Sequence, residues 1–362
     1  MNLVDLFQNI HDFTNISLKK LKAEITNDEK ESILSLIEAV CQMATGIIYK
    51  DYQTLGLELH KIQNVNCKYN GFSPQGFGYS TIAMLGPSKL WTVELIDKES
   101  QDHRNRVYNN IDGIDNVFIP ENRYWTDGKV YILYITNGKF CKDVNKKFQE
   151  KSYLTANDLE KLRDALKAMH LKKVYPIDIK PDNMLECDGN VSYSDLDDAL
   201  ILGTNRNPKT ADPYDMTFFI MENTGFVISW DECISSYTDW VAWALVCMMM
   251  KIKTYLGYVR EKGYIREKKL VDQLRTYLKK PVLVLRKRQI TEYLEEFDTK
   301  TVFDQSKELL NPFLLILKKY QKNEKFKNSE KKRIIKHIEK LVNKYDGQSS
   351  KVRRKSSYQL KF

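Results

Sequence analysis

The sequence predicts an α+β chain in two lobes, a small strand-rich part followed by a larger helical one, behind an N-terminal helical extension. Three observations predict it. Between Cys67 and Asn137, short runs rich in β-branched and aromatic residues alternate with turn signals. From Asp143 onward, apolar residues recur at helical spacing. The length of 362 residues, on a prior of roughly 150 per domain, suits two units or one two-lobed domain with extensions. The expected divisions are 1–66 for the extension, 67–137 for the first lobe, 138–317 for the helical lobe and 318–362 for a basic C-terminal helix and tail.

In the extension, Thr26-Asn27-Asp28-Glu29 has capping-box form, and Ile33, Leu36, Ile37, Val40, Cys41 and Ala44 make one apolar face behind it. This is a packing element. Expected strands are Tyr79 to Leu85, Lys89 to Ile96, Asn116 to Ile119 and Lys129 to Thr136, punctuated by Gly86-Pro87-Ser88 and Thr126-Asp127-Gly128. The charged stretch Lys98 to Asn110 between the second and third runs suits one helix. Further helices are expected over Thr155 to His170, Tyr237 to Ile252, Glu267 to Leu278 and on to Leu317, with a short strand at Val191 to Tyr193.

Composition excludes several classes. Hydrophobic residues make up 42% and charged residues 29%, enough apolar content for a sizeable core. The longest apolar stretch, Trp240 to Met250, is about half a bilayer span, so no membrane span is expected. Asp5 and Asp12 interrupt the N-terminal apolar pattern, and there is no basic leader, so the start does not read as a secretory signal. Six cysteines lie far apart with no C-x-x-C pair, which argues against a disulfide framework or structural zinc and fits a reducing compartment, hence a cytoplasmic setting.

The net charge of +9 is unevenly placed. Lys318 to Phe362 holds 16 Lys or Arg against 4 Asp or Glu, an excess of +12, while the rest of the chain is net −3. A basic segment of this kind suits an anionic partner, or a solvated helix and tail. Its aromatics, Tyr320, Phe326, Tyr345, Tyr358 and Phe362, are too sparse for base stacking, which argues against nucleic acid. Ser356 and Ser357 follow Arg353-Arg354-Lys355 directly, a context suited to phosphorylation.

One segment carries chemistry. A predicted helix ends near His170, a loop presents Asp178, Lys180 and Asn183, and a short strand leads to Asp195 and Asp197. Phosphoryl transfer needs a carboxylate for the acceptor hydroxyl's proton, a cation for the moving phosphoryl group and oxygen ligands for magnesium. Asp178 suits the first need, Lys180 the second, and Asn183 with Asp195 the third.

The run Asp178-Ile-Lys180-Pro-Asp-Asn183-Met-Leu, followed twelve residues after the Asn by Asp195-Leu-Asp197, resembles the catalytic loop and metal-binding motif of eukaryotic-type protein kinases. Asp239-Trp240 is similar to the start of that family's long buried helix, which implies that Asp239 hydrogen-bonds the catalytic-loop backbone. Phe77-Gly78 is similar to the end of the glycine-rich loop. The resemblance spans roughly Asn70 to Leu317; its centre is specific, and everything N-terminal to that is weak.

Four departures matter. In the glycine-rich frame, Ser73-Pro-Gln75-Gly76-Phe77-Gly78 replaces two of three glycines and displaces Gly76. The position of the nucleotide-binding lysine falls on Glu94, and its helical partner near Arg104-Asn105-Arg106, which suggests an inverted pair of Glu94 with Arg104 or Arg106; alternatively Lys89 or Lys98 takes the lysine's place. Pro176-Ile177-Asp178 stands where the family has His-Arg-Asp, so control through a phosphorylated activation segment is not expected. Finally Asp195-Leu196-Asp197 adds a second carboxylate, a metal ligand or an exposed strand-end acid.

The resemblance implies a two-lobed protein-kinase-like fold and ATP- and Mg2+-dependent transfer to Ser or Thr of a protein substrate, Lys180 favouring Ser/Thr specificity. Two alternatives stay open: a small-molecule kinase of the same superfold, suggested by Asp195-Leu-Asp197, and a pseudokinase scaffold that binds a partner protein, suggested by Glu94. So divergent a kinase fits a cytoplasmic chain, in a host cell's cytoplasm should its source be a virus or an intracellular pathogen.

Overall fold

The computed structural model describes residues 71–77, 81–86, 89–96, 98–126, 131–138, 141–144, 154–201, 226, 232–249, 299–322 and 324–347, with 35, 36, 38 and 39. The architecture is α+β, and the chain divides into two compact units. The first comprises 1–103 and 119–141, the second 104–118 and 142–362. The N-terminal capping box, the expected Glu267 to Leu278 helix and the serines of the tail lie outside the described residues.

The first unit holds one antiparallel sheet in the order β1-β2-β3-β5-β4, built from β1 (Ser73–Phe77), β2 (Thr81–Leu85), β3 (Lys89–Ile96), β4 (Glu121–Thr126) and β5 (Tyr131–Gly138). Strand β3 has the expected bounds, because Leu90-Trp91-Thr92-Val93 packs well on a pleated surface. The glycine-rich frame forms β1, and its register with β2 shifts between Pro74 and Gly76, a bulge where proline cannot donate. Gly86 closes the β2–β3 turn. A Cβ there would meet the Phe72 ring at 2.8 Å, so any larger residue would have to push that ring aside.

The strand expected over Asn116 to Ile119 does not form. Asn116 sits at φ 59, and Val117 makes only an isolated parallel bridge to Tyr193. The pairing falls instead on β4, whose polar Glu-Asn-Arg alternation suits an edge position.

Helix α1 (Lys98–Ile111) links the β3 and β4 segments, and its residues from Arg104 onward belong to the second unit. That unit contains β6 (Lys142–Asp143), α2 (Ala156–Leu171), β7 (Val174–Tyr175), β8 (Met184–Cys187), β9 (Asn190–Tyr193) and β10 (Leu200–Ile201). Helices α3 (Glu232–Met249), α4 (Thr299–Gln321) and α5 (Asn328–Tyr345) complete it.

Helix α2 begins with a capping box: Asp158 N donates to Thr155 Oγ1 at 3.1 Å, and Thr155 N donates to the Asp158 carboxylate at 2.8 Å. Its face of Leu159, Leu162, Leu166 and Met169 is buried. It stops where Lys173 turns left-handed, at φ 59, with its N–H on His170 O.

Helix α3 is the axis of the core. Ile234 to Val241 is buried without a break, which suits a helix surrounded by others rather than one facing water. Trp243 Nε1 donates to Leu159 O at 3.1 Å and Tyr237 Oη to Leu309 O at 2.9 Å, so its polar tips reach partners on α2 and α4. Helix α5 buries Ile334, Ile338, Leu341, Val342 and Tyr345 in the same core and exposes Lys332, Arg333, Lys336 and Lys340. The basic C-terminal helix is thus a packed amphipathic element.

Cys141 and Cys187 are each disulfide-bonded, whereas Cys233 and Cys247 are in no disulfide. Strand pairing brings distant residues together here, Lys142 opposite Glu186 and Asp143 opposite Leu185, which cysteine spacing could not reveal. The expectation of no disulfide is corrected, and the reducing-compartment reading loses that support. No helix among the described residues is long and apolar enough to cross a membrane.

Candidate active site

The loop after β7 positions the predicted residues. Ile177 sits at φ 58, where a β-branched residue is costly, and Asp178 N–H donates back to Pro176 O at 2.8 Å around it. The strain is held by one bond: Ile177 N donates to Asp239 Oδ1 at 2.8 Å. The role that the resemblance implied for Asp239 thus has a direct geometric counterpart.

Asp178 is half-open to solvent and faces two donors. Lys180 Nζ lies 2.6 Å from Asp178 Oδ2, and Asn183 Nδ2 lies 2.9 Å from the same oxygen and 3.0 Å from the Asp178 carbonyl. Pro181–Asn183 forms a single 3-10 turn that directs Asn183 back toward Asp178, with Pro181 at a position that needs no N–H. Ser194 N then donates to Asn183 O at 2.9 Å, so the residue before Asp195 is tied to the loop. Asp195 follows at φ 56, a conformation that Asp tolerates better than most residues, and it is exposed. Asp178, Lys180 and Asn183 are in direct contact, and Asp195 is one tethered residue away.

Asn183 spends its amide N–H groups on Asp178, and a metal would use its other terminal atom, Oδ1. Among the described residues no three His, Cys, Asp or Glu side chains cluster as a metal site. A magnesium site of one carboxylate, one amide oxygen, phosphate oxygens and water needs no such cluster. Asn183 and the exposed Asp195 fit that donor set.

Asp197 is placed differently. Arg104 Nη2 lies 3.0 Å from Asp197 Oδ2, and Tyr108 Oη donates to Asp197 Oδ1 at 2.6 Å. Arg104 and Tyr108 are one helical turn apart, which puts both on the same face of α1. Burial, and then the Asp197 charge, push the Tyr108 hydroxyl well above its usual range, so it stays a donor. Both Asp197 oxygens are thus engaged by protein groups, which disfavours it as the metal ligand that the sequence allowed. The Arg104–Asp197 ion pair was not anticipated; the Arg104-to-Tyr108 spacing was the available signal.

The inverted-pair expectation can be followed only in part. Glu94 lies in β3 opposite Thr81 and Leu133, and its side chain is outside the described residues. Arg106 is exposed. Gly76 and Phe77 are placed by backbone in β1, while Gly78 is outside the described residues.

Behind the loop, His170 is fully buried, with Nε2 2.9 Å from Asp239 Oδ2 and Nδ1 2.9 Å from Asp346 Oδ1. Burial opposes its charge, but hydrogen bonds to the two carboxylates outweigh it and raise its pKa to about 9. Burial pushes Asp239 upward against the opposing pull of His170 and the Ile177 N–H. Asp346 is held below its usual range, because His170, Trp240 and Ser236 outweigh the effect of burial. Sequence reasoning missed Asp346, since nothing in an Asp-Gly pair after a basic helix signals a buried partner. In comparison with known proteins, no family model and no curated protein matches the chain.

Proposed function

We propose that the chain is an ATP- and Mg2+-dependent phosphotransferase acting on Ser or Thr hydroxyls of a protein, built on a two-lobed protein-kinase-like scaffold. The observation that carries the reading is the joint placement of Asp178, Lys180 and Asn183 within 2.6–3.0 Å contacts, on a loop whose backbone is hung from Asp239. A tight polar turn with no chemistry would not require a buried carboxylate to hold a strained residue beside the half-open Asp178.

In this reading Asp178 orients the acceptor hydroxyl and takes its proton as the new O–P bond forms and the bond from the γ-phosphorus to ADP breaks. Lys180, already at Asp178, balances negative charge on the moving phosphoryl group. Asn183 Oδ1 and Asp195 would hold Mg2+, which supplies charge neutralisation at the phosphates. With Glu94 at the usual lysine position, Lys89 in β3 or Lys98 in α1 takes the lysine's place toward nucleotide in this reading. The part of α1 from Arg104 onward is held to the Asp195-Leu196-Asp197 turn by Arg104 and Tyr108.

The test is incubation of the full chain with radiolabelled ATP and Mg2+, offering Ser/Thr-containing proteins and small hydroxylated acceptors separately. Label on Ser or Thr of protein supports the proposal. Label on small acceptors alone selects the small-molecule kinase, and nucleotide-independent capture of a protein without transfer selects the scaffold.

A further inference from the structure

Asp346 is a fully buried carboxylate at the end of α5, 176 residues from the histidine that it contacts. Its surroundings are built for an anion. Ser236 Oγ donates at 3.1 and 2.9 Å to its two oxygens, Trp240 Nε1 donates at 2.8 Å to Oδ1, and His170 Nδ1 lies 2.9 Å from Oδ1. Its own N–H closes the helix on Val342 O at 2.9 Å. A buried charge persists only when paired and hydrogen-bonded, and here four donor contacts from α2 and α3 meet one carboxylate.

The His170 ring is held on every side. Tyr175 lies tilted at 5.0 Å between centroids, and Trp240 stands edge-on at 5.5 Å. With an acceptor at each nitrogen, neither ring nitrogen has an empty side and the ring has no reason to flip. The second nitrogen meets Asp239 Oδ2, which leaves Asp239 Oδ1 for the Ile177 amide. Contacts therefore run unbroken from Asp346 through His170 and Asp239 to the backbone directly before Asp178.

We propose that Asp346 is a positioning residue for the reaction: it fixes the His170 ring, through that ring Asp239, and through Asp239 the loop backbone that aims Asp178. The C-terminal helix is then part of the catalytic framework, attached by its last turn. The consequence for turnover rests on the phosphotransfer reading above; the structural coupling does not. Removing the Asp346 carboxylate leaves His170 Nδ1 to the Ser236 hydroxyl at 3.2 Å and takes away the anion that fixes the ring, which loosens Asp239 and lets Ile177 leave its strained conformation.

The experiment uses the full chain with Asp346→Asn, which keeps the shape and removes the charge, and Ser236→Ala, which removes two of the bonds to Asp346 and leaves every charge in place. Two readouts are taken: kcat and KM for phosphate transfer, and hydrogen exchange at the Ile177 amide beside that of Leu166 in the α2 core. The expected result for Asp346→Asn is a kcat about tenfold lower, KM for ATP within twofold, and Ile177 exchange at least tenfold faster while Leu166 holds. Ser236→Ala should move the same quantities in the same direction by less, and it decides the matter should Asp346→Asn not fold. In a His170→Asn background, Asp346→Asn should add less than twofold. Wild-type exchange at Ile177 in both variants overturns the proposal, as does equal loosening at Ile177 and Leu166, which marks a merely structural role. A wild-type chain that transfers no phosphate refutes the catalytic reading, and exchange at Ile177 then decides the coupling by itself.

Discussion

Replacing Arg104 with Met keeps an unbranched apolar stem at this buried position and deletes the charge that meets Asp197. The pair is nearly dry, with side chains 7% and 11% exposed. Removing one partner of such a pair strands the other, at a cost of about 3–5 kcal/mol. Asp197 retains the Tyr108 hydroxyl at 2.6 Å and a little solvent, so the lower end applies, about 3 kcal/mol. With a urea dependence of about 2 kcal/mol/M, the unfolding midpoint of the second unit should fall by roughly 1.5 M. The single change Asp197→Asn should also destabilise, because Arg104 then loses its charged partner. The double variant should recover about 2 kcal/mol relative to the sum of the singles, as contacting charges do in a mutant cycle. The assay is urea unfolding of the four proteins, followed by Trp fluorescence, since Trp240 and Trp243 lie in that unit's core. Strict additivity, or a loss below about 0.5 kcal/mol for Arg104→Met, would refute the buried-latch reasoning and return Asp197 to the pool of metal ligands.

Other outcomes follow from the same contacts. Asp195→Ala should abolish Mg2+-dependent nucleotide binding in a calorimetric titration, while Asp197→Ala should leave most of it, because Asp197 is engaged by Arg104 and Tyr108. His170 has a folded pKa of about 9 against an ordinary 6.5, so its contribution is fully present below about pH 6.5 and is lost as pH rises through about 9. That contribution is on the order of 3 kcal/mol, and urea midpoints measured across that window should fall accordingly, with a shallower fall in Asp346→Asn. Thr155→Ala removes one half of the α2 capping box and should cost about 1 kcal/mol in the same unfolding assay.

How much was legible in the sequence follows the range of the interactions. Local patterns were readable: the helix over Thr155 to His170, the bounds of β3, and the helix from Lys98 to Asn110 all depend on neighbours within a few residues. The Asp178-Ile-Lys180-Pro-Asp-Asn183 run was legible because its contacts close within five residues of Asp178. The edge strand β4 was not, since Glu121-Asn122-Arg123 lacks the apolar texture of a central strand. Asn116 to Ile119 looked like a strand from composition, yet Asn116 turns left-handed and its Nδ2 donates to Val191 O at 2.8 Å instead. Arg104 with Asp197 and His170 with Asp346 are long-range pairs whose charges carry no mark of their partners. Cys187 sits in a strand pair that links residues over forty positions apart, beyond what cysteine spacing can show.

The most direct test of the central claim is single-turnover phosphate transfer by the full chain, wild type beside Asp178→Asn. In the proposed reading Asp178, which carries Lys180 and Asn183 on its carboxylate, serves the acceptor, so the substitution should cut the transfer rate by about 10²–10⁴ while nucleotide affinity in the presence of Mg2+ stays within twofold. An Asp178→Asn chain that transfers phosphate at the wild-type rate, or a wild-type chain that binds Mg2+-nucleotide and transfers none, would contradict the account.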